Sequence, residues 1–272
     1  MGVSRPNRTP IYAAILICTF VFLVMNRRES FPTASQLATV AHSYQSHSRP
    51  SFYDVASREG TDKVTSHHYQ YMYESRLSPM RDQRIKFLEI GLGCSMGYGP
   101  GKSYYTWLEY FPNVDLYYIE YNAKCAAEWA NKTTGATIYT GDQADPTFLA
   151  DVVRRSGGNF DVIVDDGGHT MAQQKTSLEH LWDSVKPGGI YFIEDLGTSY
   201  RDKYGGGVGK KATFMEDLKD ILDDMNKTPN VKDKHRISKD VVKFDFTREV
   251  VALTKVNPRL GKDGTVGRSW EN

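Results

Sequence analysis

The chain has 272 residues, enough for one sizeable domain with appendages. Lys and Arg together number 34 and Asp and Glu 33, so the composition excludes the strongly basic surface typical of a nucleic-acid-binding protein. The three cysteines, Cys18, Cys94 and Cys125, have no metal-ligand spacing. Their number and spacing argue against a zinc site and against a disulfide framework.

The N-terminal region predicts a membrane anchor. Ile11 to Met25 is an apolar run without charge, with two arginines before it and two after it. We interpret residues 1–28 as a cytosolic tail and an uncleaved signal-anchor, which would place the remainder in the lumen of the endoplasmic reticulum or Golgi. A cleaved signal peptide, giving a secreted protein, is the alternative. Residues 29–58 carry Ser, Thr, Ala and Pro without an apolar period and predict a flexible stem, so that 59–272 form the folded domain.

Strand-like and helical segments alternate along this domain. A helix is expected near residues 60–77, and the apolar spacing then predicts further elements in chain order: strand 85–91, helix 103–111, strand 114–121, helix 122–132, strand 136–142, helix 146–157, strand 160–166, helix 170–185, strand 190–196, helix 213–226 and a hairpin over 241–256. This order predicts an α/β fold, a doubly wound Rossmann-like sheet of seven strands with a C-terminal antiparallel hairpin, in addition to the N-terminal membrane helix. Ligands of such sheets bind beyond the C-terminal strand ends, where this sequence places its polar and glycine residues.

The segment EIGLGCSMGYGPGKS follows the first predicted strand and admits three nucleotide-binding interpretations. A dinucleotide fingerprint does not fit the spacing of Gly91, Gly93 and Gly97. A phosphate-binding P-loop does not fit either, because Met96 stands where that loop needs a glycine. The third interpretation, a site for S-adenosylmethionine, fits the strand ends better.

The S-adenosylmethionine interpretation assigns roles at three strand ends. Glu89 suits a cofactor that carries an ammonium and a sulfonium group, and Gly91 and Gly93 allow the backbone to approach it. Glu120 ends the second strand, where a carboxylate can accept from both ribose hydroxyls. The predicted cofactor-binding residues at this stage are Glu89, Gly91, Gly93, Ser103, Glu120, Asp142 and Gln143, of which Asp142 and Gln143 would meet the adenine.

A family resemblance covers the stretch from about Gly60 to Gly207. The segments GTDK...HHY, LEIGLG, FPNVDLYYIEY, GDQAD, FDVIVDDGGH, KPGGIYFIEDLGTSY and YGGG resemble the class I O-methyltransferases that modify macrolide sugars, the mycinamicin and macrocin enzymes. The pair DDGGH and IEDLGTSY is the most specific part of this resemblance. The N-terminal anchor and stem do not belong to that bacterial pattern.

The resemblance implies a divalent metal, Mg²⁺, held by Asp166, Glu194 and Asp195. It also implies that Asp165 faces the cofactor and that His169 is the general base. Gly167 and Gly168 allow a sharp turn that places His169 at a helix start, where the helix dipole and a neighbouring cation both favour the neutral imidazole. Glu194 and Asp195 would point in opposite directions within a regular strand, so they converge only if the strand has already ended.

The predicted function is therefore an Mg²⁺- and S-adenosylmethionine-dependent O-methyltransferase that acts on a sugar or a similar vicinal hydroxyl. Two alternatives remain at this stage: methylation of a catechol or other small metabolite, and a catalytically silent methyltransferase fold used as a binding module. The expected partners are a hydroxyl-bearing small molecule or glycan acceptor and the membrane through residues 11–25, without nucleic acid. Association into a homo-oligomer is left open.

Overall fold

The computed structural model describes residues 49–228 and 230–258. The helices in these residues are α1 (Phe52–Glu59), α2 (Asp62–Thr65), α3 (Gln70–Leu77), α4 (Lys102–Tyr110), α5 (Ala123–Trp129), α6 (Pro146–Ser156), α7 (Met171–Leu181) and α8 (Phe214–Asn226). The strands are β1 (Ile85–Ile90), β2 (Val114–Glu120), β3 (Ala136–Thr140), β4 (Phe160–Asp165), β5 (Val185–Ile193), β6 (Val241–Thr247) and β7 (Val250–Lys255).

The strands form one mixed sheet in the order β3-β2-β1-β4-β5-β7-β6. The first five strands pair in parallel, whereas β7 runs antiparallel to both β5 and β6. All six residues of the central strand β4 are buried, as expected where helices cover both faces of a parallel sheet. The predicted seven-stranded Rossmann-like sheet with its C-terminal antiparallel hairpin is confirmed.

Alternation along each strand divides the core between the two faces of the sheet. Phe87 of β1 packs on one face with Trp107 of α4 and with aromatic residues of α1 and α3. The neighbouring Leu88 packs on the other face with residues of α6, α7 and α8, among them Leu149 and Leu218. Helices thus cover both faces of the sheet. The strand ends of β1, β2, β4 and β5, at its C-terminal edge, are the place where a site can form.

The boundary of the predicted stem needs correction. Residues 52–59 form α1, which begins with a capping box at Ser51 and Asp54. Phe52, Val55 and Ala56 of this helix lie in the core. The packed domain therefore starts within the segment 29–58 that lacked an apolar period, because three buried residues on one face of a two-turn helix are too few to give a clear periodic signal. The predicted extents of the tail, the anchor and the rest of the stem lie outside the described residues.

The sequence argued against a disulfide framework, but one pair of cysteines is bonded. Cys94, in the loop after β1, forms a disulfide with Cys125 of α5, 31 residues further along the chain. The parallel pairing of β1 with β2 brings the segments that follow both strands to the same edge of the sheet. Spacing along the sequence does not reveal this proximity, which is created by the order of the strands.

The predicted membrane location also needs correction. Within residues 49–228 and 230–258, none of the helices is long and apolar enough to cross a membrane. The run from Ile11 to Met25, which led to the prediction of a single-pass protein with a lumenal domain, lies outside the described residues. The predicted membrane location therefore has no support among the described residues.

Candidate active site

A cavity of about 520 Å³ opens at the C-terminal edge of the sheet. Its walls include the loop after β1, the end of β2, the turn after β4 and Asp195 after β5. This is the position at which doubly wound sheets bind their ligands. Of the predicted site residues, the cavity wall includes Gly91, Gly93, Ser103, Glu120, Gln143, Asp166, His169 and Asp195.

The loop after β1 is shaped for close backbone approach. Gly91 has φ +102°, and a Cβ placed there would lie 2.2 Å from the carbonyl oxygen of Asp166. Only glycine therefore allows β1 and β4 to end side by side. Ser103, at the start of α4, lines the cavity and donates its hydroxyl to Glu89 at 2.7 Å.

Glu89 lies behind the cavity wall rather than in it. Its carboxylate accepts hydrogen bonds from Ser103 and from the indole nitrogen of Trp107, and its Oε1 lies 3.1 Å from the ammonium of Lys63. The side chain has no exposed surface. The predicted contact of Glu89 with the cofactor remains a prediction, and this arrangement favours an indirect effect through Ser103.

Glu120 is placed at the tip of β2, where a ribose would meet it. One carboxylate oxygen accepts from the backbone N–H of Leu92 at 2.9 Å and the other from that of Asn122 at 2.8 Å. Both oxygens keep a lone pair because each accepts one of these bonds. The carboxylate is therefore held in a fixed orientation and is still able to accept from a diol.

The three residues assigned to the ends of β3 and β4 differ in their access to the cavity. Gln143 lines it, and its amide links the buried Asp165 at 2.9 Å to the backbone N–H of Gly168 at 2.8 Å. Asp165 is wholly buried and also accepts from Ser177 at 2.6 Å. Asp142 accepts from the backbone of Ala144 and lies outside the cavity wall. Of the three, Gln143 has the direct position against a cofactor.

The residues after β4 and β5 converge on one point. Asp166, His169 and Asp195 each offer a ligand atom, and these atoms all lie within 4.8 Å of one another. The Nε2 atom of His169 is 3.2 Å from Asp195 Oδ2 and 3.9 Å from Asp166 Oδ1. His169 and Asp195 are both non-glycine residues with φ +57°, a conformation that costs energy and is concentrated at functional sites.

Glu194 turns away from this point. Strand β5 ends at Ile193, and the left-handed conformation of Asp195 sends the two neighbouring carboxylates to different partners. Glu194 is buried and accepts from Lys63 Nζ at 2.8 Å and from the hydroxyl of Tyr73. The described residues therefore bring Asp166 and Asp195 together with His169, and place the third predicted ligand, Glu194, beside Lys63 instead.

Lys63 is a buried cation among three carboxylates. Its ammonium lies 2.7 Å from Asp166 Oδ2, 2.8 Å from Glu194 Oε1 and 3.1 Å from Glu89 Oε1. Burial lowers the pKa of Lys63, but the surrounding carboxylates outweigh this effect and raise the pKa well above its usual value. Burial also raises the pKa of Asp166, to about 6, against the opposing effect of Lys63.

The ligand atoms and charges of the site can be compared with the preferences of Mg²⁺. Asp166 and Asp195 supply carboxylate oxygens, the ligands that Mg²⁺ prefers, and they face a cavity that leaves room for water and substrate oxygens. One ammonium against Glu89, Asp166 and Glu194 leaves an excess of negative charge, which favours a divalent cation. The residues present fit the metal.

Sequence reasoning missed the contribution of the segment from Thr61 to Tyr73. Lys63 contacts Asp166 and Glu194, and the hydroxyl of Tyr69 lies 2.9 Å from Asp195 Oδ1. The motif GTDK...HHY was noted as part of the resemblance, but no chemistry was assigned to it. The one feature of the sequence that could have indicated this role is the lysine itself, within the helix expected near residues 60–77.

Comparison with known proteins agrees with this geometry. No protein-family model matches the chain. A 3'-O-methyltransferase for 8-demethyl-8-(2-methoxy-alpha-L-rhamnosyl)-tetracenomycin-C from Streptomyces olivaceus is 34% identical over 180 residues, which are 63% of this chain and 44% of that protein. Mycinamicin VI 2''-O-methyltransferase from Micromonospora griseorubida is 31% identical over 204 residues, 69% of this chain and 49% of that protein.

A solved structure extends the likeness to the fold. MycE methyltransferase from the mycinamycin biosynthetic pathway, in complex with Mg, SAH and mycinamycin VI, superposes with a TM-score of 0.67 at 28% identity, covering 77% of this chain and 55% of that one. The chain is a relative of the macrolide sugar O-methyltransferases. The predicted resemblance is thus confirmed. These relatives are named as methyltransferases, which is the predicted class of enzyme. The chain spans about half the length of the curated relatives that it matches.

Proposed function

We propose that the protein is an S-adenosylmethionine- and Mg²⁺-dependent O-methyltransferase that acts on a hydroxyl of a sugar or of a similar vicinal diol, with His169 as the general base. The observation that carries this proposal is the convergence of Asp166, His169 and Asp195 within 4.8 Å at the wall of the cavity. A silent binding module would not need two carboxylates and an imidazole held together by residues in left-handed backbone conformations.

The cofactor end of the cavity lies at the tips of β1 and β2. Gly91 and Gly93 present backbone to the ligand, and the carboxylate of Glu120 is oriented to accept from the ribose hydroxyls. Gln143 is fixed between Asp165 and Gly168, where its side chain bounds the adenine side. A cofactor bound in this order would direct its methyl group toward the tips of β4 and β5, where His169 lies.

The acceptor end holds the acid–base chemistry. When bound, S-adenosylmethionine supplies the methyl group and Mg²⁺, held by Asp166 and Asp195, supplies positive charge beside the acceptor hydroxyl. His169 Nε2 would accept the proton of the acceptor hydroxyl as that oxygen becomes the nucleophile for the methyl group. The resulting imidazolium is stabilised because Nε2 lies 3.2 Å from Asp195 Oδ2.

The proposed acceptor class rests on the relatives and on the form of the site. The relatives named above act on sugars attached to antibiotics, and MycE is in complex with mycinamycin VI. Two carboxylates around one cation suit a substrate that brings two neighbouring oxygens, as a vicinal diol does. A catechol offers the same pair of oxygens on a flat ring, so a comparison of the two acceptors tests the sugar assignment.

The experiment is methyl transfer by the purified full chain with S-adenosylmethionine bearing a deuterated methyl group. We expect mass spectrometry to detect the label on a rhamnoside in the presence of Mg²⁺ and not after chelation. Methylation of catechol alone would replace the sugar assignment with the small-metabolite alternative. Transfer that is unaffected by chelation would contradict the metal requirement, and no transfer to any hydroxyl, with cofactor binding retained, would favour the binding module.

A further inference from the structure

We propose that Tyr69 is a positioning residue that holds the carboxylate of Asp195 in the orientation needed to bind a divalent metal. This inference rests on the proposed function, because it assigns Asp195 to the metal site. It gives a role to the HHY part of the GTDK...HHY motif, which the mechanism above does not use.

Tyr69 contacts Asp195 in two ways. Its hydroxyl donates a hydrogen bond to Asp195 Oδ1 at 2.9 Å. The hydroxyl oxygen of Tyr69 also accepts a hydrogen bond from the backbone N–H of Asp195 at 3.2 Å. One side-chain group is therefore bonded to both the backbone and the carboxylate of one residue. Together the two bonds fix the backbone position and the side-chain rotation of Asp195.

Asp195 needs such a contact because its backbone is in the left-handed region, at φ +57° and ψ +37°. Residues other than glycine rarely adopt this conformation unless surrounding contacts hold it. Strand β5 ends two residues earlier, and the backbone hydrogen bonds at this sheet edge are made by the residues on either side, from the Glu194 N–H to the carbonyl of Asp165 and from the Leu196 N–H to the carbonyl of Glu249. The N–H of Asp195 itself is bonded to Tyr69 instead. The hydroxyl of Tyr69 supplies part of the missing support.

The contact also determines which carboxylate oxygen faces the cavity. Oδ1 is occupied by Tyr69, whereas Oδ2 lies 3.2 Å from His169 Nε2 on the side where Asp166 converges. Rotation of the carboxylate would exchange these two environments. A donor on Oδ1 therefore keeps Oδ2 directed toward the metal position, as partners in the second layer of metal sites commonly do.

Tyr69 is itself held rigidly. Its side chain is 1% exposed, and the ring of His67 stacks on it with centroids 4.6 Å apart and an interplanar angle of 16°. His67 Nδ1 lies 3.3 Å from Glu249 Oε2, and its Nε2 is 3.6 Å from Asp195 Oδ1. The hydroxyl of Tyr69 thus belongs to a buried, stacked ring and binds the carboxylate oxygen other than the one beside His169.

The test is Tyr69→Phe in the full chain, with Mn²⁺ as a paramagnetic probe of the metal site. Electron paramagnetic resonance and calorimetry measure Mn²⁺ affinity without any turnover. We expect Mn²⁺ to bind at least roughly tenfold more weakly, within the tenfold to hundredfold range known for lost second-layer contacts. The affinity for S-adenosylmethionine should change less than about twofold, because Glu120 and the glycine loop are untouched.

Tyr110→Phe is the matched control. Tyr110 is also wholly buried and donates its hydroxyl to a carboxylate, Glu74, at 3.2 Å, on a contact that does not touch the metal cluster. It should lower the melting temperature to a similar extent as Tyr69→Phe while leaving Mn²⁺ affinity unchanged. A loss that appears only in Tyr69→Phe supports the proposal.

Three results would overturn it. If the parent protein binds Mn²⁺ and Tyr69→Phe binds it equally well, the positioning role is wrong while the proposed function stands. Equal weakening by Tyr69→Phe and Tyr110→Phe would assign the effect to general stability and would also overturn the role. If the parent itself fails to bind Mn²⁺ or Mg²⁺, the metal part of the proposed function falls and the inference falls with it.

Discussion

Two buried carboxylate sites in this fold are built in opposite ways. Asp224 of α8 accepts from the ammonium of Lys227 at 2.7 Å, from the backbone N–H groups of Lys234 and His235 at 2.9 Å each, and from the hydroxyl of Ser238 at 2.9 Å. At the sheet edge, by contrast, Lys63 is shared by Glu89, Asp166 and Glu194. The first site surrounds one carboxylate with donors, and the second surrounds one cation with carboxylates.

The difference shows in the pKa values. Burial raises the pKa of Asp224, but the hydrogen bonds from Lys227, His235, Lys234 and Ser238 outweigh it and hold the pKa well below the usual range. Burial raises the pKa of Asp166 to about 6 and that of Glu194 well above its usual value. We expect the first arrangement to stabilise the fold and the second to favour the binding of a cation. The following substitutions test this contrast, from the largest expected effect to the smallest.

The largest effect is expected from Asp166→Asn. The variant keeps the shape of the side chain but loses one of the two carboxylates that converge with His169. Mg²⁺ binding should fall by more than the tenfold to hundredfold typical of a lost outer contact, and methyl transfer should fall with it. Calorimetric titration with Mg²⁺ measures the first effect and single-turnover transfer the second.

Asp183→Asn is the control for this change, because Asp183 is exposed and pairs with Arg236 at the surface. It should leave both measurements unchanged. An Asp166→Asn variant that binds Mg²⁺ as the parent does would mean that Asp166 does not hold the ion, and that the contrast with Asp224 has no bearing on function.

His169→Ala should reduce turnover while keeping the metal. Loss of a general base typically costs about 10²–10⁴-fold in rate. Asp166 and Asp195 remain, so Mg²⁺ affinity should change little, and higher pH should partly restore the rate because hydroxide can replace the base. His180→Ala, an exposed position on α7, is the control. Loss of Mg²⁺ binding in His169→Ala would make the imidazole a ligand rather than the base.

Glu120→Ala should weaken cofactor binding by roughly tenfold to a hundredfold, which corresponds to about 1.5–3 kcal/mol for a lost charged hydrogen bond. Its carboxylate also fixes the backbone at Leu92 and Asn122, so part of the loss would come from a looser loop. Calorimetry with S-adenosylmethionine measures the affinity, and Glu128→Ala on the exposed face of α5 is the control. Unchanged affinity would remove Glu120 from the cofactor site.

The sequence predicted the framework of the site because that framework follows from strand order. Neighbouring parallel strands end at the same edge of the sheet. A carboxylate directly after β4 and another after β5 are therefore expected to lie close together there. Asp166 and Asp195 do meet, and Gly91 is required for the close approach of the first of them. Strand alternation likewise accounts for the buried position of Asp165 beside the exposed turn.

The remainder depends on contacts between distant parts of the chain. Lys63 is 103 residues from Asp166 and 131 from Glu194, and no local pattern indicates that it joins them. The divergence of Glu194 from Asp195 depends on a left-handed residue that is not glycine, which sequence patterns do not reveal. The partner of Cys94 is likewise set by strand order rather than by spacing.

The last and sharpest test of the contrast is the pH dependence of Asp224→Asn. The folded pKa of Asp224 lies below its unfolded value, so the carboxylate contributes stability that is fully present above about pH 4 and is lost as pH falls toward the folded pKa. At pH 7 the variant should lose about 1.5–3 kcal/mol in the free energy of unfolding, because donors that faced a carboxylate now face an amide. The loss should shrink as the pH is lowered below about 4. Urea unfolding at pH 7, 4 and 3 measures it.

Asp151→Asn is the matched control for that measurement. The pKa of Asp151 is also lowered, by a hydrogen bond and charge from Arg154, with a further contribution from Arg155, but all three side chains are exposed. Water screens such pairs, so the substitution should leave the free energy of unfolding nearly unchanged at every pH. If Asp224→Asn behaves like Asp151→Asn, or if its loss does not vary with pH, then four donors around a buried carboxylate do not stabilise this fold, and the saturated half of the comparison is wrong. Two results together would support the contrast. The loss of unfolding free energy in Asp224→Asn disappears in acid, and the loss of Mg²⁺ affinity in Asp166→Asn is present at pH 7. The first site would then serve stability and the second would bind a cation.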